Sequence, residues 1–192
     1  AAFWLDTKFG FISLGYAVLF IAYSTLLKHI IILDVLTISI GFVLRAAAGA
    51  IVLSVPISHW LLVCTILLAL FLAFSKRRHE VVMLEDRAVG HRPSLSEYSP
   101  YLLDQMISVV AAATLIAYAV YTISPETTGK FGTDLLGLTV CFPLYGILRY
   151  LYLIHQRGGG GNPSELLLRD VPLLLCIGLW ALSLVVIIYR PS

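Results

Sequence analysis

The sequence predicts an all-α, polytopic membrane protein, and three observations carry that expectation. Hydrophobic residues make up 59% of the 192 residues and charged residues only 12%, whereas a soluble domain carries about a quarter charged residues. Mean hydropathy is +0.93. Six apolar stretches approach or exceed the roughly 20 residues that a helix needs to cross a bilayer. The net charge of +2 is small and the basic residues are dispersed among apolar runs. This excludes nucleic acid as a partner, because phosphate binding there needs a basic face on a soluble surface. Cys64, Cys141 and Cys176 all sit inside apolar runs. They read as small buried hydrophobes, not as a disulfide or zinc framework.

In chain order the spans run over Phe9–Leu27, Ile30–Leu53, Ile57–Ser75, Leu102–Ile123, Leu135–Ile154 and Val171–Tyr189. They form a single membrane domain over residues 1–192, with no internal repeat. The opening AAFWLDTKFG lacks the charged n-region and cleavage site of a signal peptide. Without an initiator Met, it reads as a chain entered partway through. Lys28, Lys76, Arg77, Arg78, Arg87, Arg92, Arg149, Arg157 and Arg169 fall on one side of the spans, against Lys8, Lys130 and Arg190 on the other. By the positive-inside rule the first side is expected to face the cytoplasm.

The loops differ in kind. Gly158 to Gly161, followed by Asn162-Pro163, gives a flexible linker. It lacks the preceding strand and the Walker Lys of a phosphate cradle. The loop from Lys76 to Tyr101 is long, mixed in charge and rich in His, Arg and Glu, so it reads as a working surface.

Ionisable groups inside a span cost roughly 2.5–3.5 kcal/mol each on insertion scales and need a reason. Asp34 and Arg45 share the second span, eleven residues apart. Eleven steps bring them to within about 20° of one face and about 16 Å apart along the axis, so they do not pair directly. Gly41 shares that face, and Ala46 to Gly49 follow it. Two readings stay open: each charge pairs with a neighbouring helix for structure alone, or the face lines a polar substrate cavity opening near Asp34. Lys28, at the end of the first span, either satisfies terminal carbonyls and snorkels or meets an anion. Tyr23 reads equally as an aromatic-belt residue. If the third helix continues through Ser75-Lys76-Arg77-Arg78-His79-Glu80, Lys76 and Glu80 stand at i and i+4. Those cations are either a positive-inside anchor or, with Glu80, Glu85 and Asp86, a place for a polyphosphate and Mg²⁺.

The stretch YSTLLKHIIILDVLTISIGFVLRAAAGA, from Tyr23 to Ala50, resembles the UbiA-type intramembrane prenyltransferase superfamily. Together with KRRHE (Lys76 to Glu80), HRPSLSEYSPYLLDQM (His91 to Met106) and NPSELLLRDVPLLL (Asn162 to Leu175), it resembles the branch of decaprenyl-phosphate phosphoribosyltransferases, over nearly the whole chain. The resemblance implies a nine-helix bundle with a polar chamber and a lateral opening to lipid, of which these spans are helices four to nine. It implies a bacterial inner-membrane enzyme with cytoplasmic active-site loops. That enzyme moves 5-phosphoribosyl from phosphoribosyl pyrophosphate to a polyprenyl phosphate with Mg²⁺, in cell-wall biosynthesis.

Carried over residue by residue, Lys28 is a phosphate-facing catalytic residue beside Tyr23, and Asp34 is the residue that orients the ribose or acceptor. Arg45, Lys76, Arg77, Arg78, His91 and Arg92 bind substrate, and Glu80 and Asp86 are candidate metal ligands. The superfamily's first aspartate-rich motif is absent from this sequence, so the six helices alone are expected to be inactive. Two rival readings are prenyl transfer from a prenyl diphosphate to an aromatic acceptor, and a truncated, non-catalytic relative in a membrane complex. Homo-oligomers and membrane-complex partners are left open.

Overall fold

A computed structural model describes residues 7–55, 58–85, 97–156 and 163–189. Within them the chain is helical, with no strand. In order the helices are α1 (Thr7–Thr25), α2 (Leu33–Val52), α3 (His59–Glu85), α4 (Pro100–Ile123), α5 (Pro125–Phe131), α6 (Cys141–Gln156), α7 (Pro163–Arg169) and α8 (Val171–Ile188). Short 3₁₀ turns cover Leu27–His29, between α1 and α2, and Leu135–Val140, leading into α6.

Five described segments are long and apolar enough to cross a membrane: Leu33–Val52, His59–Met83, Pro100–Ile123, Leu135–Gln156 and Val171–Ile188. The sixth expected span is present as α1, but its apolar stretch, Phe9–Thr25, is shorter than those five. Large apolar side chains stand exposed along these helices, among them Phe20, Val109, Ile116 and Leu182. That is the pattern of a bundle whose outer solvent is hydrocarbon.

Local chemistry sets the helix ends. Ser99 precedes Pro100 and accepts from the Leu102 N–H, an N-cap followed by proline at the first helical position. Ser124-Pro125 repeats the device at α5, and Gly132 closes that short helix at φ 65°, a left-handed position that favours glycine. Asp170 caps α8 by accepting from the Leu173 N–H at 2.9 Å.

Chain neighbours pack antiparallel: α3 against α4 most extensively, then α2 against α3, α1 against α2, and α6 against α8. The buried core is built around Val35, Phe71, Phe74, Leu103, Ile107, Tyr150, Ile154 and Leu173. These residues come from the start of α2, the second half of α3, the first half of α4, the end of α6 and the start of α8. The core therefore sits toward the end of the bundle that carries Lys28, Lys76, Arg77, Arg78 and Arg169, here called the basic end. Next to it, α3, α4, α6 and α8 line an almost wholly apolar cavity of about 590 Å³, which runs from Leu61, Tyr118, Phe142 and Trp180 to the core residues Phe71, Tyr150 and Leu173.

An ion-paired cluster as the candidate functional site

Three helices meet at the basic end through charge. Asp34 lies in the first turn of α2, where a carboxylate is favoured by the helix dipole. It is completely buried. Arg77, 4% exposed, reaches it from α3 with Nε donating to Oδ2 at 3.0 Å. The same guanidinium donates through Nη1 to Glu80, one turn further along α3. Arg77 is thus held between two carboxylates. That satisfies the requirement that a cation removed from water be paired and hydrogen-bonded.

The Tyr98 hydroxyl closes the other side. It donates to Asp34 Oδ1 at 3.0 Å and accepts the Ile32 N–H at 2.7 Å. Ile32 has φ 70°, ψ −45°, and Leu33 N–H bonds Ile31 O at 2.8 Å, which together make a three-residue γ-turn. A β-branched residue at positive φ is strained by about 1–3 kcal/mol and persists only where its surroundings hold it. Here the surroundings are Tyr98 and the Asp34 turn. Burial, with the Asp34 carboxylate adding to it, pushes the Tyr98 phenol up to about 12, so it remains a neutral donor.

A second group lies alongside. Arg78 donates through Nε to Asp104 of α4, and its Nη1 lies 3.5 Å from Ile154 O of α6. His155 Nε2 stands 3.1 Å from the same carboxylate, while its Nδ1 faces Leu151 O at 2.8 Å. Arg149 makes a two-pronged contact with Asp170, at 3.1 and 2.8 Å, tying α6 to the start of α8. Paired Arg–carboxylate forks of this kind fix orientation as well as charge.

The placement of the sequence-predicted residues is uneven. Asp34, Arg77, Arg78 and Glu80 come together. The helix does continue through Lys76–Glu80, but Glu80 pairs with Arg77 at i+3 and Lys76 points outward, exposed. Lys28 lies in the 3₁₀ turn at the same end, half-buried, and Tyr23 one turn earlier. Arg45 is not in the cluster: it packs against α1, with its guanidinium over the Phe42 and Tyr16 rings. His91, Arg92 and Asp86 lie outside the described residues. Among the described residues no group of three metal-ligating side chains exists, and Glu80 is committed to Arg77. These residues do not form a Mg²⁺ site by themselves.

Sequence reasoning missed Tyr98, Asp104, His155 and the Arg149–Asp170 pair. Asp104 had a signal, an acid five residues after a Ser-Pro helix start. Tyr98 had none beyond its place in the His91 to Met106 stretch.

Fold and cluster define a multi-pass helical membrane protein with an ion-paired polar end. No family model matches the chain. It is 28% identical over 184 residues to the decaprenyl-phosphate phosphoribosyltransferase of Mycolicibacterium smegmatis, covering 93% of this chain and 58% of that protein. It is 29% identical over 167 residues to the protein of that name from Corynebacterium glutamicum, covering 84% and 48%. The Mycobacterium tuberculosis protein of that name is 26% identical over 182 residues. The resemblance drawn from the sequence is borne out: this chain is similar to decaprenyl-phosphate phosphoribosyltransferases, and it spans about half to three-fifths of their length.

Proposed function

We propose that this chain forms the phosphate-binding end of a membrane-embedded transferase. In the intact protein, that enzyme moves 5-phosphoribosyl from phosphoribosyl pyrophosphate to a polyprenyl phosphate. The observation that carries this reading is the basic end itself. There Arg77 is locked between Asp34 and Glu80, within a cluster that faces the same surface as Lys28, Lys76 and Arg78. The names of the similar proteins supply the substrate class.

In the proposed reaction an oxygen of the acceptor phosphate attacks the ribose C1. The bond from C1 to the pyrophosphate oxygen breaks, and pyrophosphate leaves with the electron pair. The acceptor is already an anion, so no strong general base is required. What the protein must supply is cationic stabilisation of the leaving group and alignment of the two substrates. Lys28, Lys76 and Arg78 provide the positive charge. Asp34, with no exposed surface, acts through Arg77 rather than on substrate. Mg²⁺, implied by the resemblance, would draw on the substrate's phosphates and on groups outside the described residues, where Asp86 lies. The same reading has the protein in a bacterial inner membrane with the basic end cytoplasmic.

The test is direct. The purified intact protein, given phosphoribosyl pyrophosphate, decaprenyl phosphate and Mg²⁺, is expected to form decaprenyl-phosphoryl phosphoribose, detected by mass spectrometry. No such product, with activity instead on a prenyl diphosphate and a phenolic acid, would reverse the assignment.

A further inference from the structure

Among the described residues, Ile32 and Ser54 have positive φ without being glycine, and of the two only Ile32 lies at the basic end. Its φ of 70° and ψ of −45° make the rare, strained form of γ-turn. Strain of this kind persists only where the surroundings hold it, and it concentrates at functional sites. Glycine would adopt the turn without cost. A β-branched isoleucine stands there instead, so the hold comes from outside the turn.

That hold is Tyr98. Its hydroxyl accepts the Ile32 N–H at 2.7 Å and donates to Asp34 Oδ1 at 3.0 Å, which brackets the turn from both sides. Backbone bonds carry the constraint upstream. The Asp34 N–H reaches back to Ile30 O at 3.1 Å, and the Ile30 N–H to Leu27 O at 3.2 Å. The 3₁₀ turn Leu27–His29, which contains Lys28, is therefore bonded to the clamped segment. Tyr98 is itself buried and stands immediately before Ser99, the N-cap of α4. Further along the first half of α4, Asp104 holds Arg78 of α3. The start of α4 thus grips two separate elements, the Lys28 turn through Tyr98 and the Arg78 segment through Asp104. It fixes the register between two cations and carries neither.

We propose that Tyr98 is a positioning residue for the transfer: by clamping the strained turn at Ile32 it holds Lys28 in register with Arg78, so that cations from two elements meet one pyrophosphate group. The inference rests on the reading of the basic end given under Proposed function. Tyr98 acts through Lys28 and not on substrate, because its hydroxyl is engaged on both sides by Ile32 and Asp34. Charge-assisted hydrogen bonds depend steeply on distance and angle. A relaxed turn would therefore forfeit the contribution of Lys28 without removing any charge from the protein.

Calorimetric titration of the full-length protein in mixed micelles with inorganic pyrophosphate and Mg²⁺ tests it. Lys28→Ala and Tyr98→Phe are each expected to weaken binding about tenfold or more, the scale of one hydrogen bond to a charged group. The double variant should bind no more weakly than either single one. Ile32→Gly added to Tyr98→Phe should recover part of the loss, since glycine takes the positive φ without a clamp. In the parent, pyrophosphate should slow hydrogen exchange at the Ile32 amide, because coupling between two sites is reciprocal. Tyr98→Phe with the parent's affinity overturns the proposal. So do additive losses for Lys28→Ala and Tyr98→Phe, which would place the action of Tyr98 elsewhere, and an absence of recovery with Ile32→Gly, which would put the hydroxyl itself on the ligand. Should Tyr98→Phe not fold, the exchange experiment decides: an Ile32 amide indifferent to bound pyrophosphate overturns the proposal. A parent that binds no pyrophosphate overturns the reading of the basic end together with it, whereas the other outcomes leave that reading standing.

Discussion

At the basic end, α2, α3 and α4 are tied by buried or half-buried ion pairs, Asp34 to Arg77 and Asp104 to Arg78, and the exposed His155 ring of α6 lies against Asp104. Toward the opposite end α4, α8 and the 3₁₀ turn before α6 are joined by neutral groups. Trp180 Nε1 donates to the Tyr118 hydroxyl at 2.9 Å, and Tyr118 shares a hydrogen bond with Thr139 at 2.7 Å. Tyr118 and Trp180 line the apolar cavity, which reaches from there to Phe71, Tyr150 and Leu173 of the core. The contrast is physical in origin. Removing one partner of a neutral hydrogen bond costs about 1–3 kcal/mol, while removing one partner of a buried ion pair strands a charge and costs about 3–5 kcal/mol. An end built from interlocked charges is therefore costly to disturb, rigid, and able to hold cations in fixed positions. An end built from hydroxyls around an apolar cavity has more freedom to repack.

Four substitutions break or sharpen that comparison. Asp34→Ala should have the largest effect: it leaves Arg77 buried with one carboxylate instead of two, and a loss of about 3–5 kcal/mol is expected. Chemical denaturation of the intact protein in mixed micelles checks this. Tyr98→Phe comes next. It strands the Ile32 N–H and releases a strained turn, at a cost of about 1–3 kcal/mol, visible as faster hydrogen exchange at Ile32 and Leu33. At the opposite end, Trp180→Phe removes one neutral donor beside the cavity and should cost about 1 kcal/mol. A larger loss there than for Asp34→Ala would invert the comparison. Arg169→Ala marks the floor. Its partner Glu165 is exposed and so is Arg169, so no measurable change in Tm is expected.

Tyr98 also gives the comparison a pH signature. Its folded-state phenol sits at about 12, raised chiefly by burial, against a usual value near 10. A raised value stabilises the protonated, folded form. That contribution is fully present below the unfolded value and is lost as pH rises through the folded one. Alkaline destabilisation over this window should shrink in Tyr98→Phe relative to the parent, measured as Tm against pH.

Much of this was legible in the sequence, for identifiable reasons. Spans announce themselves by length and apolarity, so five of the six expected spans coincide with full-length helices. The exceptions are instructive. The third helix runs on to Glu85, well past its apolar end, because Lys76–Glu80 carries good helix formers and an internal Arg77–Glu80 pair. The segment after the Gly158 to Gly161 run holds a short helix, α7, that hydropathy does not reveal. Asp34 was found because a carboxylate in an apolar run is expensive. Its partner was not, because Arg77 and Lys76 are equally plausible on spacing and only helix phase against α2 decides. Tyr98 was invisible because a tyrosine near an interface has an ordinary explanation. Asp104, His155 and Asp170 drew no reading from the sequence, since their pairing depends on which helices become neighbours.

The central claim is that Asp34 serves the site through Arg77. A double-mutant cycle on the proposed phosphoribosyl transfer by the intact protein tests it, with Asp34→Asn, Arg77→Gln and the pair together, each first shown to be folded by its elution profile and helical content. The account predicts strong non-additivity: either single change reduces kcat nearly as much as both, because each removes the same arrangement. Additive losses, or an Asp34→Asn enzyme with unchanged kcat, would contradict it.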